Sequence, residues 1–215
     1  MLPPVTADFL ATHPCSLKIC GVTRPADAEK LADLGVHALG ANFWPRSKRF
    51  LDPEHAAFLK SLAGRILRVG VFVNAGTSQP RELFDLGLID AVQLHGDEPA
   101  TDLITLAAAG IPLIRAAILE NAAIPAGGAA LLLDAHAPGV YGGTGMTIDW
   151  SAAADFVKTH PALPVILAGG IVPENAAEAV RIVKPCAIDI ASGAESAPGI
   201  KDFGKVRALL EAIQV

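Results

Sequence analysis

At 215 residues, with 52% hydrophobic and 18% charged side chains, the chain is long enough to bury a full core and too apolar to be disordered. A formal net charge of -5 argues against a nucleic-acid partner, which would want a basic face, though backbone dipoles and one arginine still suffice to bind a small anion. Three cysteines without a CxxC pair suit a reducing compartment, and no apolar run approaches the roughly 18 residues that span a bilayer, so a cytoplasmic protein with no membrane partner is expected. The opening Met1-Leu2-Pro3-Pro4 lacks the basic-then-apolar pattern of a secretory signal.

Residues before about Ser16 have the pattern of a leading helix or arm. Beyond them, short apolar runs alternate with segments patterned in alanine, leucine and charge. Strands are predicted near Leu17–Cys20, His37–Asn42, Leu67–Val73, Ala91–Leu94, Leu113–Ala116, Ala130–Leu133, Val165–Ala168 and Ala187–Ile190. Helical patterns fall at Pro25–Leu34, Pro53–Leu62, Pro80–Leu86, Pro99–Ala109 and Pro173–Val183, each with a proline near its start, where the missing N–H costs little. Thr23, Asp52 and Ser78 are the expected caps. Strands apolar throughout and joined by helices imply a parallel sheet, and about eight such units favour a single-domain α/β fold, a (β/α)₈ TIM barrel over residues 1–215. One interval departs: between Ala116 and Ala130 the chain is short and ends in Pro125, Gly127 and Gly128, so the fifth helix should be missing or rudimentary.

Polar and glycine residues collect just after the strands, on the face where barrels build their sites. Cys20 follows Leu17-Lys18-Ile19, His95 follows Val92-Gln93-Leu94, and Asp134 follows Leu131-Leu132-Leu133. Alone, each has a plain explanation: a buried thiol as a small hydrophobe, a strand-end aspartate as a cap, a histidine as a satisfied polar group. Gly169-Gly170 and Ser192-Gly193 follow the last two strands, where backbone N–H groups and a helix start favour a phosphate. Arg46, Lys48 and Arg49 form a basic knot after the second strand, either a solvated turn or a clamp on a substrate carboxylate. Gly142-Gly143-Thr144-Gly145 lacks the dinucleotide-binding spacing and is expected to be a mobile flap. No ligand spacing indicates a metal, and no metal or cofactor is expected.

Taken in order, several segments resemble the phosphoribosylanthranilate isomerase family across nearly the whole chain. They are Lys18-Ile19-Cys20-Gly21-Val22-Thr23, Ser47-Lys48-Arg49-Phe50, Val69-Gly70-Val71-Phe72-Val73-Asn74, and Val92-Gln93-Leu94-His95-Gly96-Asp97-Glu98. Asp134 with Gly142-Gly143-Thr144-Gly145 and Asp149-Trp150 matches the middle of the family, and Ala168-Gly169-Gly170-Ile171, Ser192-Gly193-Ala194-Glu195 and Pro198-Gly199-Ile200-Lys201-Asp202 its end.

The resemblance implies an Amadori rearrangement of a phosphorylated aminosugar, N-(5-phosphoribosyl)anthranilate, in tryptophan biosynthesis. It implies Asp134 as the acid that opens the furanose ring and Cys20, as thiolate, as the base at C2′. Arg49 is then expected to hold the anthranilate carboxylate, Gly169, Gly170, Ser192 and Gly193 the phosphate, and His95 to line the site without exchanging protons. Ala41 and Ala191 depart from the family pattern, where Phe and Ser are expected; Ala41 should loosen the wall near Arg49, and Ala191 removes a hydroxyl near the phosphate loop. Rival barrels are a histidine-pathway Amadori isomerase, which would favour paired carboxylates, and indole-glycerol-phosphate synthase, which would need a catalytic lysine; Cys20 argues against both. A non-catalytic phosphosugar-binding barrel would have lost the acid or the base. Nothing in the sequence sets the oligomeric state.

Overall fold

The computed structural model describes residues 4–11, 15–135 and 148–214. Within them β1 (Ser16–Cys20), β2 (Ala38–Asn42), β3 (Leu67–Phe72), β4 (Ala91–Leu94), β5 (Leu113–Ala117), β6 (Ala130–Leu133), β7 (Val165–Ala168) and β8 (Ala187–Ile190) form a closed barrel in sequence order. Every neighbouring pair is parallel, and β8 closes onto β1 with Lys18 opposite Asp189. The helices are α1 (Pro4–Phe9), α2 (Pro25–Asp33), α3 (Ser78–Asp85), α4 (Ala100–Ala108), α5 (Trp150–Thr159), α6 (Pro173–Val183) and α7 (Phe203–Ala212). A two-stranded antiparallel ribbon, β9 (Glu195–Ala197) with β10 (Ile200–Lys201), is inserted between β8 and α7.

Strand alternation separates two apolar layers. Leu17, Ile19, Leu39, Val92, Leu131, Leu133, Leu167 and Ile188 are fully buried against the helices. Ala38, Leu67, Val69, Ala91, Ile114, Leu132, Ile166 and Ala187 fill the barrel interior, and the buried ring of Phe9 joins them from α1. Alanines at the first positions of β2, β4, β6 and β8 make room for that ring, so the leading helix closes the N-terminal end of the barrel. The opposite end is left for polar side chains.

Between β5 and β6 stand only two single 3₁₀ turns, Leu119–Asn121 and Ala126–Gly128, with Gly127 at φ 72°; the fifth helix is absent, as the breakers there predict. Other local expectations need correction. Pro53–Leu62 winds as a 3₁₀ helix, capped by Asp52, whose carboxylate accepts from the Glu54 N–H. Thr23 caps nothing: α2 starts after Arg24, and the Thr23 hydroxyl donates to the Gly199 carbonyl at 3.1 Å. Ser78 is the first residue of α3, after Thr77, which makes no side-chain cap. Ala41 is fully buried in the strand–helix layer, because its strand neighbour Gly40 is the residue facing inward; it does not form the wall beside Arg49. The segment expected to form a flap, Gly142–Gly145, lies outside the described residues.

Candidate active site

Most strands carry a polar group or a glycine at their C-terminal ends, and these, with Val71, Val73 and Ala168, surround one cavity of about 450 Å³. Cys20 ends β1, His95 and Asp134 each stand one residue beyond β4 and β6, and Gly169-Gly170 follow β7. Ser192 and Gly193 lie in a 3₁₀ turn after β8, and Arg49 reaches in from the loop after β2. The candidate residues thus line the same cavity, as do the exposed Arg46 and Lys48.

The Asp134 side of the cavity is built on two strands. His95 Nε2 stands 3.4 Å from Asp134 Oδ2, and His95 Nδ1 lies 2.9 Å from the Gln93 amide nitrogen two residues back on the same face of β4. With that amide donating, the neutral ring carries its proton on Nε2, toward the carboxyl group. Asp134 is itself pinned by its backbone N–H, which donates to Ala117 at the end of β5. The loop carrying His95 is fixed by Glu98, whose carboxylate accepts from the Asn74 and Gly96 N–H groups and from Arg115.

On the β1 side, Cys20 stands above a buried ion pair, Lys18 Nζ to Asp189 Oδ2 at 2.8 Å. Burial pushes the Cys20 thiol up from its ordinary range and Asp189 adds to this; Lys18 and Lys201 pull the other way without cancelling it. The resting group is therefore a thiol, and its thiolate is the minority form near neutrality.

Arg49 is held by Glu195. Nε lies 2.9 and 3.0 Å from its two oxygens, and Nη2 lies 2.6 Å from Oε2. The same carboxylate takes Lys201 Nζ at 2.7 Å and the Gly199 N–H, while Lys201 also donates to the Cys20 carbonyl at 2.6 Å. Burial raises the Glu195 carboxyl, yet Arg49 and Lys201 outweigh it and keep it below the usual carboxylate range. One carboxylate thereby ties the arginine to the backbone of the thiol.

The glycine loops are shaped for a close approach. A Cβ on Gly193 would run into the Ile171 carbonyl oxygen, so the two loops meet with no space for a side chain. Asn175 braces the first loop, accepting from the Val172 N–H at 2.8 Å and donating to the Gly170 carbonyl at 3.1 Å. It belongs to α6, which begins two residues beyond Ile171, the last residue of this loop that lines the cavity, and a helix N-terminus favours negative charge.

Lys18, Asp189, Glu195, Lys201, Gln93 and Asn175 escaped sequence reasoning. Lys18 and Asp189 did leave a signal: each is a lone charge inside an apolar strand run, at an inward position. Among the described residues no three His, Cys, Asp or Glu side chains are grouped to hold a metal ion, and no helix is long and apolar enough to cross a membrane.

A parallel eight-stranded barrel with a thiol, a carboxyl group and a histidine around one cavity at the strand ends has the build of a (β/α)₈-barrel enzyme. The family model described as N-(5'phosphoribosyl)anthranilate (PRA) isomerase matches residues 17–212. The chain belongs to that family. It is 44% identical over 206 residues to the N-(5'-phosphoribosyl)anthranilate isomerase of Myxococcus xanthus, covering 91% of this chain and 94% of the relative. The crystal structure of phosphoribosyl anthranilate isomerase from Thermotoga maritima superposes with a TM-score of 0.81 at 32% identity, covering 93% of this chain and 98% of that one. A solved isomerase in complex with reduced 1-(o-carboxyphenylamino)-1-deoxyribulose 5-phosphate gives a TM-score of 0.77 at 30% identity, with the same coverage.

Proposed function

We propose that this chain catalyses the family's reaction, converting N-(5'-phosphoribosyl)anthranilate to 1-(o-carboxyphenylamino)-1-deoxyribulose 5-phosphate, with Asp134 as acid and Cys20 as base. The observation that carries this reading is the convergence of Cys20 and Asp134, from strands on different sides of the barrel, upon one cavity that also holds two glycine loops and an arginine.

Ring opening needs a proton on the furanose oxygen as the C1′–O bond breaks. Asp134 in its protonated form supplies it, leaving an iminium at C1′; His95 and the Ala117 carbonyl hold the Asp134 segment for that transfer. The C2′ proton, acidified by the iminium, passes to the Cys20 thiolate, and the electron pair forms an enolamine that tautomerises to the ketone. The phosphate is assigned to the loops of Gly169-Gly170 and Ser192-Gly193 at the start of α6. The anthranilate carboxylate is assigned to the part of the Arg49 guanidinium that Glu195 leaves open. No step in this scheme calls on a metal or cofactor. A cytoplasmic, single-domain enzyme fits the composition and the one barrel.

The test is the fluorescence decay of freshly generated phosphoribosylanthranilate on adding the purified chain. Saturable loss of signal supports the assignment; no acceleration over the uncatalysed decay overturns it.

A further inference from the structure

At the floor of the cavity, which Asp189 lines and beneath which Lys18 is buried, stands a pair of charges that the reaction as written does not use. Ser16, Lys18 and Cys20 alternate with the outward-packed Leu17 and Ile19, so Lys18 and Cys20 share the inner face of β1. Lys18 is fully buried, and its ammonium meets Asp189 Oδ2 across the β8–β1 seam at 2.8 Å. Glycine at position 40 leaves the space into which both groups of β1 reach. A Cβ there would lie 2.7 Å from Cys20 Sγ and 3.1 Å from Lys18 Nζ. The thiol and the ammonium therefore border the same small gap.

A desolvated ion pair at this depth is not explained by stability. Its desolvation cost offsets most of its attraction, and apolar side chains of similar volume commonly do as well or better. The surrounding interior is filled that way, by Val69, Ile166 and Leu132. The other charges around Cys20 are matched to one another. Lys201 and Arg49 share Glu195, while Asp134 and His95 form their own contact elsewhere in the cavity. Lys18 is the cation beneath the sulfur, and Asp189 is the anion that competes with the sulfur for it.

We propose that Lys18 and Asp189 are opposed positioning residues for Cys20: the ammonium favours the thiolate, and the carboxylate restrains it by holding the ammonium. This rests on the assignment of Cys20 as the base. The charges act on the thiol with these signs, Lys18 downward by attracting the thiolate and Asp189 upward by repelling it. The arrangement keeps the sulfur protonated and unreactive toward oxidants at rest, with a buried cation in place to stabilise the thiolate when it forms.

The two residues must act in opposite directions, a result no merely structural role would produce. The experiment measures iodoacetamide alkylation of Cys20 against pH, quantified on the Cys20 peptide by mass spectrometry, in the wild-type chain, Lys18→Met and Asp189→Asn. Lys18→Met should raise the alkylation midpoint by about one pH unit or more, and Asp189→Asn, which leaves the ammonium to the sulfur alone, should lower it by a similar amount. The rising limb of kcat/KM should move with the midpoint in each variant. Shifts in the same direction, or no shift, overturn the proposal. Should Lys18→Met fail to fold, the nearly isosteric Asp189→Asn decides alone: a lowered midpoint supports the pairing, and an unchanged or raised one refutes it. Absence of turnover by the wild-type chain would count against the assigned reaction while leaving the midpoints to judge the pairing.

Discussion

Arg49 lays its Nε–Nη2 edge against Glu195, with Nη2 2.6 Å from Oε2, so the side chain expected to clamp a substrate carboxylate is already clamped from behind. The carboxylate fixes the plane of the guanidinium before any ligand arrives and leaves Nη1 and the outer side of Nη2 for the cavity. A residue pre-oriented in this way loses less entropy on binding.

Both members of that pair should therefore matter to binding. Arg49→Lys keeps the charge but cannot serve Glu195 and a ligand carboxylate with two planar edges, and should lower kcat/KM by about tenfold or more, chiefly through KM. Glu195→Gln should act in the same direction by freeing the guanidinium, though Glu195 does not line the cavity. Steady-state kinetics of both variants beside Arg49→Ala and Arg46→Ala checks this. An Arg46→Ala enzyme more impaired in KM than Arg49→Ala would move the carboxylate site to Arg46.

Loss of the proposed acid or base should appear mainly in kcat. Cys20→Ser raises the group's pKa far out of range, and Asp134→Asn retains a hydrogen-bond donor that cannot transfer its proton; each should cost on the order of 10² or more in kcat. Because burial holds the Cys20 thiol above its ordinary range, the thiolate fraction grows with pH, and kcat/KM should still be rising past neutrality. Single-turnover fluorescence across a pH series measures both. A Cys20→Ser enzyme with near-normal chemistry would remove Cys20 from the mechanism.

Gly193 offers a test of the proposed phosphate loops that does not touch the proposed acid or base. Its absent Cβ is what lets the turn after β8 lie against the Ile171 carbonyl, so Gly193→Ala must push the two loops apart. KM, and the Ki for inorganic phosphate as a competitive inhibitor, should rise about tenfold or more, equivalent to about 1.4 kcal/mol. Unchanged constants in a folded variant would place the phosphate elsewhere.

Stability should decline on the alkaline side through two other thiols. Burial pushes Cys15 and Cys186 from 9.0 up to about 12. Between those values the unfolded chain has released protons that the folded chain retains, so unfolding becomes more favourable as pH rises through this window. Each thiol should contribute about 1 kcal/mol of lost stability per pH unit above 9. Thermal midpoints followed from pH 8 to pH 10.5 should fall less steeply in Cys186→Ala than in the wild-type chain; equal slopes would refute the attribution.

The strands were legible from the chain alone wherever both faces are buried. Ala91–Leu94, Ala130–Leu133, Val165–Ala168 and Ala187–Ile190 are apolar runs whose ends coincide with turn-forming residues, and the observed bounds match. Pro125, Gly127 and Gly128 settled the missing fifth helix by the same local logic, since breakers act on their own backbone. The reactive residues stood out because strand ends are the polar face of a barrel, whatever its detailed register. What the chain alone did not reveal depends on contacts between residues far apart in sequence. Pro53–Leu62 has a helical pattern, but its winding as 3₁₀ is a tertiary outcome that periodicity does not distinguish. Thr23 is a good cap locally, yet its hydroxyl goes to Gly199 on a ribbon formed 176 residues later. Lys18 and Asp189 are separated by 171 residues and meet because closure pairs β8 with β1 in one register; a single-residue slip of either strand would turn its charge outward into the helix layer and break the pair. Glu195 likewise becomes the support of Arg49 only when that closure brings the ribbon after β8 beside the loop after β2. Periodicity and turn chemistry are properties of neighbours along the chain, whereas which charges share the barrel interior is decided by strand pairing around the closed sheet.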